Sequence, residues 1–203
     1  LQSKGESASK RVDEVVGTAT GEVAQGSSVH EQTVNKHGDR FNIVLTHSSD
    51  NIIRDGSHLD SKGKLKPNVT YQAGEFEYLY QTDHLGRLKT WDAQEFQLTE
   101  QAKRLYHNPN TPGKLKGDHS GHLAGDRFGG SPKLDNLVSQ LQGVNLSDYK
   151  ILENEWAGAL MKNKRVTVNV DVIYKGNNLR PDSFKVRYTI DGNFFIKEIE
   201  NVK

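Results

Sequence analysis

Alternation of apolar and polar positions is clearest in the last third of the chain. Val166, Val168, Val170, Val172 and Tyr174 alternate with Thr167, Asn169, Asp171 and Ile173, and Phe184, Val186, Tyr188 and Ile190 alternate with Lys185, Arg187 and Thr189. A period of two marks half-buried strands. Asp191-Gly192 reads as a hairpin turn, after which Phe194–Ile199 completes a meander. A second β block spans Lys66 to Leu98. There Val69–Gln72 and Glu75–Tyr80 flank a turn at Ala73-Gly74, and a turn at Thr82–Arg87 leads to a strand over Leu88–Leu98. Phe41–Thr46 predicts one more strand. Leu98–Tyr106 predicts a helical turn and Asn108–Gly113 a loop.

The pattern changes to a helical period over Leu146–Lys162. Tyr149, Leu152, Trp156, Ala159 and Leu160 form one stripe, with Asn145 or Ser147 able to cap the N-terminus and Lys162 and Lys164 near the end. At about 100° per residue, Glu153 falls at one edge of the stripe and Glu155 at the other. Strands, one long helix and three further strands predict an α+β fold with an antiparallel sheet.

Between the β block and the helix lies Gly117 to Gln140, where two histidines, three aspartates, an arginine and five glycines fall within 24 residues. That is too polar and too glycine-rich for a simple helix or strand, and predicts a loop-rich scaffold that presents side chains for chemistry. Residues 1–40 are rich in Ser, Gly, Glu, Lys and Gln and read as a short helix plus linker or tether, which leaves 41–203 as the working domain. The chain begins with Leu1, which reads as a fragment of a longer protein. Hydrophobic residues make up 33% and the mean hydropathy is −0.74, so the expected core is modest.

With no cysteine, disulfides, thiolate nucleophiles and Cys-based zinc sites are excluded. No apolar run approaches a membrane span. The net charge of +1 neither supports nor excludes nucleic acid, but Leu160 to Arg187 carries seven Lys/Arg against Asp171 and Asp182.

The segment Ser120-Gly121-His122-Leu123, Phe128-Gly129-Gly130 and Asp135-Asn136-Leu137-Val138 with Gln140 resembles the DNA/RNA non-specific endonuclease family, whose fold is the ββα-metal (His-Me) finger. Tyr78 to Asp83 with Gly86-Arg87, Asn145 with Leu152-Glu153, Arg180-Pro181 and Tyr188 to Gly192 extend the resemblance over roughly residues 66–200. The branch it resembles occurs as C-terminal nuclease toxin domains of Gram-positive secreted proteins of the LXG or type VII-like kind. The resemblance implies a secreted toxin acting in a target cell's cytoplasm on DNA, with RNA open as a second substrate. It also implies a cognate immunity protein, and Mg²⁺ with Mn²⁺ able to substitute. His122 takes the place of the catalytic histidine, Asn136 that of the direct metal ligand, and Glu153 that of the glutamate holding the metal's waters.

One departure stands beside His122. The better-known branch has Asp-Arg-Gly-His where this chain has His119-Ser120-Gly121-His122. The phosphate-stabilising role of that missing arginine must fall elsewhere, with Arg180, Arg127 and Arg87 as candidates in that order. Arg180 leads because Pro181 anchors it between two strands.

The residue types fit the chemistry on their own terms. Phosphodiester hydrolysis needs a base for water, which imidazole provides near neutral pH, and a cation against developing charge. Mg²⁺ prefers oxygen donors and keeps several waters, so one carboxamide with carboxylates behind it is a reasonable cage. Blander roles stand beside these. Asn136 could cap a turn with Asp135, Glu153 could form a buried salt bridge to an arginine, and Arg180 could be a solvated loop charge. His119 with His107 suggests a zinc pair, against which stand the missing cysteines and the lack of a helical His-x-x-x-His. Asp118 and Asp126 read as loop caps or groups behind the site, and Tyr78, Tyr80 and Trp156 as core. A catalytically inactive nucleic-acid-binding or structural module of the same fold is the alternative that the missing arginine keeps open.

Overall fold

In the computed structural model, residues 28–34, 40–45 and 51–202 are described, apart from residues 102 and 104. The chain divides into two compact units, Leu1–Asp50 and Asn51–Lys203. In the first, β1 (Ser28–Val34) pairs antiparallel with β2 (Arg40–Leu45), with a bulge between Val29 and Glu31. The strand expected at Phe41–Thr46 is therefore present, but it belongs to this first unit, and a second strand lies within the stretch expected to be helix and linker. The remainder of residues 1–40 lies outside the described residues.

The second unit is built on a seven-stranded sheet of β3 (Ile52–Ile53), β4 (Thr70–Ala73), β5 (Tyr78–Thr82), β6 (Leu88–Ala93), β9 (Val166–Ile173), β10 (Ser183–Ile190) and β11 (Asn193–Glu200). Its spatial order is β11-β10-β9-β6-β5-β4-β3, antiparallel throughout except for the parallel pair β3–β4. β9 and β10 of the meander follow the alternation, with Val166, Val168, Val170, Val172, Phe184, Val186 and Tyr188 buried, whereas β11 is exposed except at Ile199. This is the expected α+β architecture with its mainly antiparallel sheet.

Two strands are shorter than expected, each because the chain turns toward the central segment. Glu75 and Phe76 sit in the turn after β4, where Gly74 (φ +85°) and Glu77 (φ 53°) are left-handed. Gly74 touches the Gly129 carbonyl so closely that a Cβ would lie 2.7 Å from it, and the Glu75 N–H donates to the same oxygen. Likewise β6 ends at Ala93, after which the Phe96 N–H bonds the Val166 carbonyl and the ring stacks on Phe128 at 4.2 Å. The helical turn expected over Leu98–Tyr106 is not seen among the described residues.

The helix α1 (Tyr149–Met161) is entered through a five-residue π turn, Val144–Asp148, and its N-terminus has no side-chain cap. Tyr149, Leu152, Trp156 and Ala159 of the expected stripe are buried, joined by Ala157. Trp156 meets Phe96, Phe128, Tyr149 and Tyr188 edge-on, so the helix is locked onto both the sheet and the central loop. Truncating such a ring to Ala costs about 3–5 kcal/mol.

The central segment forms strands at both ends, contrary to the loop expected from its composition. β7 (Asp118–His122) and β8 (Leu137–Leu141) pair antiparallel, with His122 opposite Leu137 and His119 opposite Gln140. A strand this polar is held by its partner and by close packing. Gly121 leaves room for the Gln140 amide, which occupies the place a Cβ would take. Together β7, β8 and α1 form the ββα finger. No helix among the described residues is long and apolar enough to cross a membrane.

Candidate functional site

His122 closes β7, half-buried, with the His107 ring edge-on at 5.0 Å between centroids. The chain then enters a tight loop: Leu123 and Ala124 are fully buried, and a 3-10 turn covers Asp126–Phe128. Gly130 packs its backbone against the Ala124 carbonyl, leaving no room for a side chain.

Asn136 organises that loop from beneath. It is fully buried, and its Oδ1 accepts from the Tyr80 hydroxyl (2.8 Å) and the Ala124 N–H (2.9 Å). Its Nδ2 donates to the carbonyls of Ala124 and Ser131, both at 2.8 Å. Both lone pairs of the amide oxygen are therefore occupied. The direct metal contact expected of Asn136 does not fit this arrangement, because its oxygen has none left to offer. Its neighbour Asp135 is a second buried strut, taking hydrogen bonds from Ser131 Oγ (2.6 Å) and pairing with His58 Nε2 (2.9 Å), whose ring stacks on Tyr71 at 4.1 Å.

Two other oxygen donors, Asn145 and Glu153, stand at the helix and the turn before it. The Tyr149 hydroxyl donates to the Leu123 carbonyl at 2.8 Å, pinning α1 to the residue that follows His122. Burial raises the pKa of Tyr149 far above the ordinary tyrosine value, so this donor keeps its proton. One turn before Tyr149 stands Asn145, and one turn after it Glu153. The Tyr149 N–H bonds the Val144 carbonyl five residues back, so the chain winds less per residue than an α-helix here. This brings Asn145, Tyr149 and Glu153 closer to one line than α spacing would.

Asn145 is half-buried, and its Nδ2 lies 3.2 Å from His119 Nδ1, which leaves the amide oxygen for another partner. Glu153 places Oε1 against Gly125, in the space a Cβ there would fill, and Oε2 lies 3.2 Å from the Lys150 ammonium. An Asn oxygen and a carboxylate suit a hard divalent cation that retains waters, so the donor set fits Mg²⁺ once Asn145 replaces Asn136. Among the described residues, no group of three or more His, Asp and Glu side chains could hold a metal by itself.

The three arginines part company. Arg180 forms a bidentate pair with the buried Asp118 carboxylate (2.7 and 2.9 Å) and bonds the Asn201 carbonyl. Its guanidinium is an internal strut, which does not fit the phosphate clamp expected of it. Arg87 is spent in the same way, on Asp83, on the carbonyls of Gly176 and Asn178, and over the Tyr174 ring. Arg127 stands at a groove. It bonds Asn154 Oδ1 at 2.9 Å and lines a cavity of about 630 Å³ with Glu75, Thr99, Lys103, Asp126 and Gly129.

Sequence reasoning passed over Asn145 as an oxygen donor beside Glu153 because a polar residue at a helix start reads as a cap. His58 was missed because it stands in a loop with no pattern. The one available sign for Asn145 was its spacing of eight from Glu153, two turns along one helix.

A family model described as DNA/RNA non-specific endonuclease matches residues 67–192. The chain is 34% identical over 183 residues to the type VII secretion system protein EssD of Staphylococcus aureus strains USA300 and NCTC 8325. That alignment covers 86% of this chain and 29% of EssD, so the chain spans about three tenths of the length of these relatives. Among solved structures, an extracellular endonuclease aligns with TM-score 0.44 and 20% identity over 62% of this chain and 79% of its own. The Sda1 nuclease with bound zinc ion aligns with TM-score 0.46 and 13% identity over 91% and 87%. The matched segment begins just before β4, ends in the turn after β10 and encloses the whole ββα finger, and on that match this chain belongs to the DNA/RNA non-specific endonuclease family.

Proposed function

We infer that this domain cuts DNA by metal-dependent hydrolysis, with His122 as general base, Asn145 as the direct ligand of Mg²⁺ and Glu153 holding the waters around it. RNA, which shares the phosphodiester, is the second substrate to test. The observation that carries the reading is the Tyr149–Leu123 hydrogen bond, which fixes the helix bearing Asn145 and Glu153 to the strand end bearing His122. Tyr80, Asn136 and Ala124 hold the intervening backbone from the other side.

A neutral imidazole at His122 takes the proton of the attacking water. The His107 ring, packed edge-on, restricts the orientations open to His122. Buried Leu123, Ala124 and Phe128 keep bulk water from the loop beneath. A bound divalent cation supplies positive charge against the phosphate and its leaving oxygen. Contacts confined to the sugar-phosphate backbone carry no sequence information, in keeping with non-specific cleavage.

The similarity to a type VII secretion system protein supports a link to secretion, and the toxin role with an immunity protein in the producer is what the resemblance of the sequence to the toxin branch implies. Purified protein incubated with supercoiled plasmid tests the enzymatic reading. Conversion to nicked and linear forms is expected with Mg²⁺ or Mn²⁺, and none is expected with EDTA or in His122→Ala. A folded wild-type protein that cuts neither DNA nor RNA in any divalent metal would instead mark an inactive module of the same fold.

A further inference from the structure

We propose that Lys114 is the phosphate-contacting cation of this nuclease, taking up the task left by the absence of an arginine at position 120. The inference rests on the nuclease reading of the finger and extends it to a residue outside β7, β8 and α1. Strand alternation puts Asp118, Ser120 and His122 on one face of β7. Arg180 neutralises Asp118 at one end of that face, and His122 stands at the other. Between them, Ser120 Oγ receives a hydrogen bond from the Lys114 ammonium at 3.1 Å. Ser120 and His122 are two residues apart on an extended strand, about 7 Å. A cation at Ser120 is therefore within reach of a phosphate engaged at His122.

The loop that delivers Lys114 is fixed to the finger at several points. Asn108 N–H donates to the Pro132 carbonyl, Thr111 Oγ1 bonds Ser139 Oγ at 2.7 Å, and Ser139 Oγ bonds the Pro112 carbonyl at 2.7 Å. Gly113 (φ +69°) lies so close to the Arg180 backbone that a Cβ would meet its nitrogen at 2.5 Å. The same loop brings His107 against His122.

Lys114 also bonds the Pro109 carbonyl at 2.6 Å, so two of its three N–H groups are engaged, both by neutral oxygens. Among the described residues, no carboxylate pairs with it. Arg180 and Arg87, in contrast, are each bonded to an aspartate. Lys114 thus offers an uncompensated charge and a free N–H on the face that carries His122. An ammonium serves phosphate as a point charge, without the bidentate geometry of arginine.

The test measures steady-state cleavage of a fluorescence-quenched DNA duplex by the whole chain with Mg²⁺, together with thermal melting. Lys114→Met is expected to melt like wild type and to lose about a hundredfold in kcat, the scale set by removing one donor from a developing oxyanion. Lys114→Arg is expected to restore most of the rate. Lys114→Gln, which can still tether Pro109 and Ser120 but carries no charge, is expected to behave as Lys114→Met. Lys116→Met, two residues along, is expected to leave kcat unchanged. Wild-type rates in Lys114→Met or Lys114→Gln, beside a wild-type enzyme that His122→Ala inactivates, would overturn the role of Lys114 and leave the nuclease reading standing. A wild-type protein that cleaves nothing would overturn both.

Discussion

Replacing Arg180 with methionine would take the bidentate partner from the Asp118 carboxylate, whose side chain is wholly buried while that of Arg180 is 14% exposed. Two short hydrogen bonds would disappear together, those from Arg180 Nε and Nη2 at 2.7 and 2.9 Å. Asp118 would keep the Leu115 N–H at 3.0 Å, and the Asn201 carbonyl would lose its guanidinium partner. Breaking a buried pair from one side costs about 3–5 kcal/mol. For a domain of this size, each kcal/mol lowers Tm by about 2–4 °C, so a fall of roughly 6–20 °C is expected. Adding Asp118→Asn removes the buried charge and keeps an acceptor for Leu115, so the double variant is expected to recover a good part of the loss. Melting followed by circular dichroism gives the stability, and plasmid cleavage well below both transitions gives activity per folded molecule. That activity is expected to stay within about tenfold of wild type, because the guanidinium serves Asp118 and not the substrate. An Arg180→Met protein that melts with wild type but has lost cleavage would refute the reasoning and return Arg180 to the phosphate.

Asn136→Ala and Asn145→Ala should separate cleanly. The first leaves four buried hydrogen-bonding groups without partners and is expected to melt far below wild type, at about 1–3 kcal/mol for each group left unsatisfied. The second is expected to keep its Tm while Mn²⁺ binding, measured by calorimetry, is lost. His58→Ala removes one of the two side-chain partners of the buried Asp135, the other being Ser131 Oγ, and is expected to cost about 1–3 kcal/mol in a denaturant titration. At high pH, burial holds the pKa values of Tyr71, Tyr80 and Tyr149 above their ordinary value. The stability tied to a raised pKa is complete below the unfolded value of about 10 and is lost as pH rises beyond it. Tyrosinate absorbance from these rings is therefore expected to appear together with alkaline unfolding.

Much of the fold was legible because its elements obey simple periods. The strands Val166–Ile173 and Ser183–Ile190 alternate, and Tyr149, Leu152 and Trp156 mark a helix wherever it packs. β7 was not legible, since Asp118-His119-Ser120-Gly121-His122 carries no apolar alternation and is a strand only because β8 lies beside it. Close approach of two backbones shortened the strand before Tyr78, and Gly74 against Gly129 signals this only once the loop is folded. The position of His122 was readable from its ordered neighbours. The roles expected of Asn136 and Arg180 do not fit the hydrogen bonds they make, because a residue type names the bonds it can make, but not whether the fold has already used them. Lys114 illustrates the converse, a lysine in an unpatterned loop whose importance depends on where Thr111, Ser139 and Gly113 anchor that loop.

The role of His122 is open to the most direct test. His122→Gly keeps the strand end and removes the imidazole, and free imidazole can then be supplied with Mg²⁺ and supercoiled plasmid. The expected result is a folded protein that cuts nothing alone and regains metal-dependent nicking as imidazole is added, with a pH dependence that follows the added base. Cleavage by His122→Gly at the wild-type rate without imidazole would contradict the assignment of the base.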